Sequence, residues 1–444
     1  MAKVSLVSLG CPKNLVDSEG ALGEILQAGH EIVTDQSRAQ VIVVNTCAFI
    51  ESARQESFEA IGEAVEHKVR GHCQGVIVIG CLSQRYKQEI IEAEPEVDAV
   101  LGVGHAGKLV ETIASVLAGD TVIDAARPPH EWVEHAARIQ STPPWTAYIK
   151  IADGCDNRCA YCAIPDIRGP FRSRPDSLII DEARKLADSG VKELILVGQD
   201  LTQFGADRGQ TNCLPHLLEK LSKIDSLHWI RVLYCYPTKV TPELIAVVAS
   251  SPKVVKYMDI PLQHGDDTVL RAMNRRGGAD DYLRLVDDLR SACPEIALRS
   301  SFIVGFPGET GSAFDNLLAF VERIQFDRVG VFTYSREQGT PAFELPGQVR
   351  QGVADARRDT LMRLQQRISL QRNRSLIGKK MEVLLEGCSD KGVFGRSYRD
   401  APEIDGLVYL PTVKANSGDF VEATVTEAGE YDLFAGLPTS HFDN

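Results

Sequence analysis

From residue 4 to about 118, short β-branched runs alternate with stretches of helical period: VSLVSL, HEIVTD, VIVVN, VIVIG and VDAVLG are separated by segments such as ALGEILQAG and SFEAIGEAVEH. The alternation predicts a parallel α/β sheet with covering helices. A weakly patterned, proline-containing stretch from Arg127, Pro128 and Pro129 to Ser141, Thr142, Pro143 and Pro144 reads as a linker. Six further strand-like runs follow, TAYIKI (146–151), ELILV (193–197), WIRVLY (229–234), YMDIP (257–261), LRSSFIV (298–304) and RVGVFTY (328–334), each ahead of a helical pattern. Six successive β/α units predict a partial (β/α)6 relative of the eight-stranded barrel, whose chemistry gathers on the loops after the strands. A helical run from about Gly352 to Arg374 is rich in arginine, read as a solvated face. From Leu376 onward the pattern changes to short strands punctuated by Gly and Asp (MEVLLEG, FGRSY, GLVYLP, FVEATVTEA, YDLFAG), as in a small antiparallel β-barrel. The expected division is therefore 1–125, a linker at 126–144, 145–375 and 376–444.

Composition narrows the class. At 444 residues the chain is too long for one core, and 44% hydrophobic with 25% charged residues fits a folded globular protein. Its apolar runs are strand-sized, far short of the roughly 20 residues of a membrane span. Met1 leads straight into a strand-like segment without a secretory pattern, so the cytoplasm is the expected compartment and no membrane partner is expected. The net charge of −13 speaks against nucleic-acid binding as the main contact, since that needs clustered Lys and Arg. The segment after Leu376 carries six Lys or Arg against twelve Asp or Glu, which suits a basic protein partner.

Eleven cysteines, an odd number, occur in spacings better suited to metal than to disulfides. Directly after the first strand of the central segment, DGCDNRCAYCAIPDIRGPFRSR places Cys155, Cys159 and Cys162 in a C-x-x-x-C-x-x-C spacing. Random scattering of the cysteines would yield it only roughly 0.007 times. Three thiolates on a cubane of four irons leave one iron open for a substrate, whereas a fourth ligand would close the site. A zinc site completed by a distant His or Cys is the alternative. In the first segment, Cys11, Cys47 and Cys81 each follow a strand, VSLVSLG, VIVVNT and VIVIG. Equivalent positions after parallel strands share one sheet edge, so the three thiols are expected to converge. Any one of them alone would read as an inert half-buried cysteine, as Cys73, Cys213, Cys235, Cys293 and Cys388 do. Other strand ends expected to line a cofactor pocket are Gly198, Gln199 and Asp200, then Gln263 and His264, then the Gly305, Phe306, Pro307, Gly308, Glu309 turn. As isolated charges, Arg168, Arg172 and Arg174 fit a solvated role equally well.

The three-cysteine loop, with Tyr161 just before its third cysteine, resembles the radical S-adenosylmethionine superfamily. Together with SLGCPKNLVDSE, VVNTCAFIESA, GCLSQRY, LYCYPT, DIPLQH, SSFIVGFPGET and the β-rich tail, the chain closely resembles the methylthiotransferases over almost its whole length. The resemblance implies an amino-terminal cluster domain, a radical barrel and a carboxy-terminal TRAM domain. It also implies two [4Fe–4S] clusters and S-adenosylmethionine (SAM), used as methyl donor and as radical source. Carried onto this sequence, Cys11, Cys47 and Cys81 bind the sulfur-handling cluster, and Cys155, Cys159 and Cys162 the radical-generating one; Arg168, Arg172 and Arg174 resemble a motif that follows the latter. The CPKNLVDSE segment resembles the branch acting on an aspartate of ribosomal protein S12, which implies that protein as partner, together with an electron donor and a sulfur donor. The alternatives are a tRNA adenosine methylthiotransferase and, in another class, a non-catalytic iron–sulfur electron carrier. A β-carbon C–H is far too weakly acidic for a tuned side-chain base, so a radical route fits the aspartate reading.

Overall fold

The computed structural model describes residues 1–104, 107–128, 131–135, 137–411 and 414–437; the expected linker and tail lie partly outside them. The first segment runs β1 (Lys3–Ser8), α1 (Pro12–Gln27), β2 (Glu31–Ile32), β3 (Val41–Thr46), α2 (Glu51–Arg70), β4 (Gly75–Gly80), α3 (Cys81–Ala93), β5 (Ala99–Leu101), α4 (Leu109–Leu117) and β6 (Val122–Asp124). All six strands are parallel, in the order β2-β1-β3-β4-β5-β6. The five expected runs are present, and β6 extends the sheet past residue 118. Val41, Ile42, Val43 and Val44 are fully buried because helices cover both faces, which is why the run is continuous rather than alternating. The strand order reverses between β1 and β3. That makes a switch-point crevice at the carboxyl ends of these strands, where open α/β sheets hold their ligands.

The central segment runs β7 (Thr146–Lys150), β8 (Ala152–Asp153), α5 (Ile164–Arg168), β9 (Arg172–Ser173), α6 (Asp176–Asp188), β10 (Glu193–Val197), α7 (Cys213–Leu221), β11 (Trp229–Val232), α8 (Pro242–Ser250), β12 (Tyr257–Asp259), α9 (Asp267–Ala272), α10 (Ala279–Ala292), β13 (Ala297–Val304), α11 (Gly311–Ile324), β14 (Arg328–Thr333) and α12 (Gln351–Arg374). All six expected runs are strands. They pair in parallel as β7-β10-β11 and β12-β13-β14, and the two halves meet where the Cys235 N–H donates to the Asp259 carbonyl at 2.9 Å. The result is a partial barrel. The helices pack outside it through Ile179, Leu217, Val248, Leu289, Leu317 and Leu361.

The last segment forms a closed barrel of β15 (Lys380–Ser389), β16 (Gly392–Ser397), β17 (Val408–Leu410), β18 (Phe420–Ala428) and β19 (Leu433–Gly436). Its pairings are antiparallel except for the parallel β17 with β19. This small barrel stoppers the amino-terminal ends of the central strands. Glu193 opens β10 and is fully buried between Arg231 of β11 (Nε 2.9 Å) and Arg396 of β16 (Nη2 2.5 Å). Asp400 takes Arg328 at 2.7 Å, Tyr257 Oη donates to Asp405 at 2.7 Å, and Asp327 binds Arg372 (3.0 Å) and Arg399. Leu384 and Ala401 enter the lumen from this side and meet Tyr148, Ile195, Trp229 and Tyr257; Val16 of α1 enters from the other. Among the described residues no helix is long and apolar enough to cross a membrane.

The arginines expected to be solvated divide. On α12, Arg358 and Arg363 are on the open face, but Arg372 binds Asp327 and Arg357 binds Glu309 at 3.2 Å. Arg168, Arg172 and Arg174 are all buried.

Candidate functional site

Two groups of three cysteines follow strand ends of the first and central segments, whose elements Arg168 ties together. Cys11 is the residue before the first turn of α1, Cys47 follows β3, and Cys81 is the first residue of α3. The N-terminal dipoles of α1 and α3 therefore favour negative charge on Cys11 and Cys81. Gly10 sits at φ +90°, and a Cβ there would lie 2.8 Å from Cys47 Cβ and 3.1 Å from its Sγ, so only glycine lets these two strand ends approach. The three thiols feel one another electrostatically, and all three feel Arg168. Burial opposes ionisation of Cys11, but Lys13, Arg168 and the backbone N–H groups of Asn14 and Lys13 outweigh it and hold that thiol below its ordinary pKa. Burial raises Cys47 and pushes Cys81 up to about 12, against the pull of Arg168.

The second group lies on the loop between β8 and α5. Cys155 and Cys159 are buried and Cys162 half-buried. Burial pushes Cys155 up to about 11 and raises Cys162 further, so a metal binding either group displaces protons. The loop is fixed from several sides. Ala160 N–H donates to the Met273 carbonyl at 2.9 Å, and Asn157 spans from Asp200 (2.7 Å) to Lys239 (2.9 Å). Arg275 points Nη1 at Cys159 Sγ, 3.7 Å away, with its guanidinium 4.0 Å from the Tyr236 ring centre. Among the described residues no three His, Cys, Asp or Glu side chains stand close enough to share one ion. A cubane, whose thiolates sit on separate irons, needs no such closeness, and the all-thiol donor set of both groups suits it.

Arg168 joins the two groups. Placed six residues after Cys162 and 1% exposed, it donates to both Asp153 oxygens at 3.1 Å, to Asn14 Oδ1 at 2.9 Å and to Asp17 at 3.1 Å. Asn14 in turn donates to the Leu9 and Thr46 carbonyls, both at 2.9 Å, and so ties down the strand ends that carry Cys11 and Cys47. Ala163, the residue before α5, and Ile167 of α5 pack into the same core as Cys81 and Leu82. One short helix thus fixes the second cysteine loop against the first cysteine group.

The expected pocket residues take different parts. Gln199 donates to Asp153 at 3.1 Å and leaves Oε1 buried with no partner among the described residues. Gln263 holds a positive φ of 74° just after β12, and a Cβ on Gly198 would lie 2.8 Å from Leu201 Cδ2 and 3.2 Å from the Ala152 carbonyl. Asp200 is already saturated by Asn157, Gln203, Thr202 and Lys239, so it braces the loop. His264 accepts the Asp266 N–H at Nδ1 (3.0 Å), which leaves Nε2 to donate to Glu309 at 3.4 Å. Glu309 accepts the Gly305 N–H, and a Cβ on Gly305 would lie 2.4 Å from Ala354 Cβ. His264, Glu309 and Gly305 therefore shape the turn above the barrel rather than offer free polar groups. Lys13 and Arg275 were not expected from sequence. Lys13 is marked only by its place two residues after Cys11, and Arg275 by nothing local.

Comparison with known proteins follows the same three segments. Residues 3–102 match the family model described as "Uncharacterized protein family UPF0004", residues 149–321 the "Radical SAM superfamily" and residues 377–437 the "TRAM domain". The chain is 47% identical to the ribosomal protein uS12 methylthiotransferase RimO of Trichlorobacter lovleyi over 98% of both chains. It is 48% identical to the protein of that name from Desulforamulus reducens, over 98% of this chain and 100% of that one. Among solved structures, the radical S-adenosylmethionine methyltransferase TsrM of Kitasatospora setae, with tryptophan and aza-SAM bound, superposes with a TM-score of 0.57 at 14% identity, covering 83% of this chain and 89% of that one. At that identity it speaks for the fold alone.

Proposed function

The chain belongs to the uS12 methylthiotransferase family of radical S-adenosylmethionine enzymes, and from that premise we propose that it places a methylthio group on the β-carbon of an aspartate in ribosomal protein uS12, using two [4Fe–4S] clusters. The observation that carries the reading is that Arg168, six residues after Cys162, is bonded to Asn14 and Asp17 of the helix that Cys11 precedes and interacts with all three thiols of the first group. In this proposal Cys155, Cys159 and Cys162 hold the cluster that binds SAM, and Cys11, Cys47 and Cys81 hold the second. When bound, these groups supply the 5′-deoxyadenosyl radical that takes the β-hydrogen and the methylthio group that replaces it.

The chain's own residues bind, orient and shield. Arg275 donates to Cys159 and the Asn157, Asp200 and Lys239 set fixes the loop, so the three thiols keep their geometry. Gln199 Oε1 is a buried acceptor for a SAM hydroxyl or ammonium, while Gly198, Gln263 and the Gly305 turn follow β10, β12 and β13 at the same side of the barrel. The Phe306 ring, fully buried against Tyr334 at 5.3 Å, helps keep water out. Turnover also calls for an electron donor and a sulfur donor, and a ribosomal protein substrate puts the work in the cytoplasm.

The small barrel's charge supports a basic protein partner. Its two arginines, Arg396 and Arg399, are buried in the docking to the central barrel, so Lys379, Lys380, Lys391 and Lys414 remain as its exposed or half-exposed cations against a larger set of acids. Such a face suits uS12 better than RNA. The test is to offer uS12 and tRNA side by side to the reduced, reconstituted enzyme with SAM and sulfide, and to weigh both products. A mass gain of one methylthio group on uS12 is expected; gain on tRNA alone would reverse the substrate assignment.

A further inference from the structure

The partial barrel has two end strands, β7 and β14, and they are treated differently. Along the parallel ladder of β14 with β13, Tyr334 N–H donates to the Val304 carbonyl at 2.8 Å. Gly330 and Phe332 therefore turn their backbone groups toward β13, and Val329, Val331 and Thr333 turn theirs outward. Among the described residues no strand pairs with that outer edge, and nothing bonds its N–H and C=O groups. Natural end strands are blunted by charge, proline, shortness or a cover. The outer edge of β7 is covered, since Arg138 donates to the Tyr148 carbonyl at 2.6 Å, and Gln140 and Thr142 to the Thr146 carbonyl at 3.1 and 2.5 Å. On β14 the run from Val329 to Thr333 has neither charge nor proline, and Phe332 is 51% exposed.

The carboxyl end of this strand runs in between the two cysteine groups. On one side Ile303 and Tyr334 pack with Ala160 and Tyr161, the two residues between Cys159 and Cys162, and the Ala160 carbonyl accepts the Ala342 N–H at 2.8 Å. On the other side Ser335 Oγ accepts the Glu51 N–H at 3.5 Å, and Arg85 ties Glu337 (2.9 Å) to the carbonyl of Ala48, the residue after Cys47 (3.0 Å). Tyr334 Oη is buried there without a partner among the described residues. The free edge thus leads from the small barrel, where Arg328 meets Asp400, to the place where both groups of thiols are within reach.

We propose that the outer edge of β14 receives an extended segment of uS12 as an added strand, which carries the target aspartate to the cysteine groups. The proposal rests on the uS12 reading above. Alternating N–H and C=O groups along an edge are matched by another extended polypeptide, whereas the phosphates of RNA offer acceptors alone. The backbone bonds supply affinity, and side chains that alternate along the added strand find the exposed Phe332 ring beside the bare Cα of Gly330. At the amino end of β14 the chain meets the small barrel with its surplus of acids, the exposed Glu403 among them, which suits a basic protein. The Val329 to Thr333 edge in this role positions the substrate and takes no part in the chemistry.

The test is amide hydrogen exchange on the anaerobically reconstituted enzyme, alone, with uS12 and with tRNA, read by mass spectrometry on the peptide spanning residues 328–334. With uS12, exchange at Val331 and Thr333 is expected to slow by roughly tenfold or more, because their N–H groups gain acceptors. Val331→Pro removes one outward donor and spares the ladder to β13, so it should weaken uS12 binding in titration calorimetry by about tenfold while keeping the parent's iron per chain. Binding of uS12 without protection of this peptide would overturn the proposal, as would protection by tRNA alone or an iron-replete Val331→Pro that binds as the parent does. So would amides already protected in the free enzyme, which would mean that the chain's own tail or a second copy covers the edge. Should Val331→Pro lose iron through misfolding, the exchange result on the parent decides by itself. A parent that does not bind uS12 at all would instead remove the uS12 reading, and this proposal with it.

Discussion

In a Cys159→Ala enzyme, 5′-deoxyadenosine formation is expected to fall to background, and reconstituted iron to drop by about four atoms per chain. In Cys47→Ala the same drop in iron is expected while SAM cleavage persists and methylthio transfer to uS12 is lost. The contrast follows from where the thiols stand. Cys159 shares its loop with Cys155 and Cys162, takes the Arg275 donor at 3.7 Å, and lies where SAM is proposed to bind. Cys47 belongs to the other group, seated on the carboxyl edge of β3 and pressed by Gly10, and the central barrel's loop does not depend on it for its folding contacts. Chromatography of the nucleoside product and iron analysis on the two variants check this together. If Cys47→Ala also abolishes SAM cleavage, the two groups do not have separate roles.

The second large effect is on stability. Replacing Glu193 with alanine leaves Arg231 and Arg396, 0% and 1% exposed, without their shared carboxylate at the seam between the central and small barrels. Removing one partner of a buried pair costs about 3–5 kcal/mol, because the remaining charge stays desolvated. A drop of several degrees in the main calorimetric transition is expected for a chain of this size. Burial alone would raise the Glu193 carboxyl, but Arg396 and Arg231 outweigh it and hold it below the usual glutamate value. Its stabilising contribution is therefore complete above the unfolded pKa of about 4.3 and is lost as pH falls through the lower folded value. The gap between parent and variant should be full at neutral pH and shrink on acidification. An unchanged transition at neutral pH would mean the ion pairs do not hold the two barrels together.

The sequence made the scaffold readable because its signals are local. Six β/α units each announce a strand by a β-branched run, and Cys11, Cys47 and Cys81 fall at matching stations after parallel strands, so their convergence follows from topology alone. What it could not show are the contacts made across segments. Arg168 reads as one more charge near a loop, yet it reaches Asn14 and Asp17 some 150 residues away in the chain. Asp200 reads as a pocket residue after a strand, and nothing in that reading shows that its carboxylate holds Asn157, Gln203, Thr202 and Lys239. The same limit hid the docking of the small barrel, since Glu193, Arg396 and Arg399 carry no pattern that separates a buried pair from a surface charge. Burial of a charge is a property of the partner segment, and no window of sequence contains both partners.

The central claim, two cubanes each gripped by three thiolates, is tested most directly by iron and acid-labile sulfide per chain in the anaerobically reconstituted protein. About eight irons and eight sulfides are expected, with the iron fully accounted for as [4Fe–4S] in the Mössbauer spectrum. A limit of about four irons, or zinc in place of iron at either cysteine group, would contradict it.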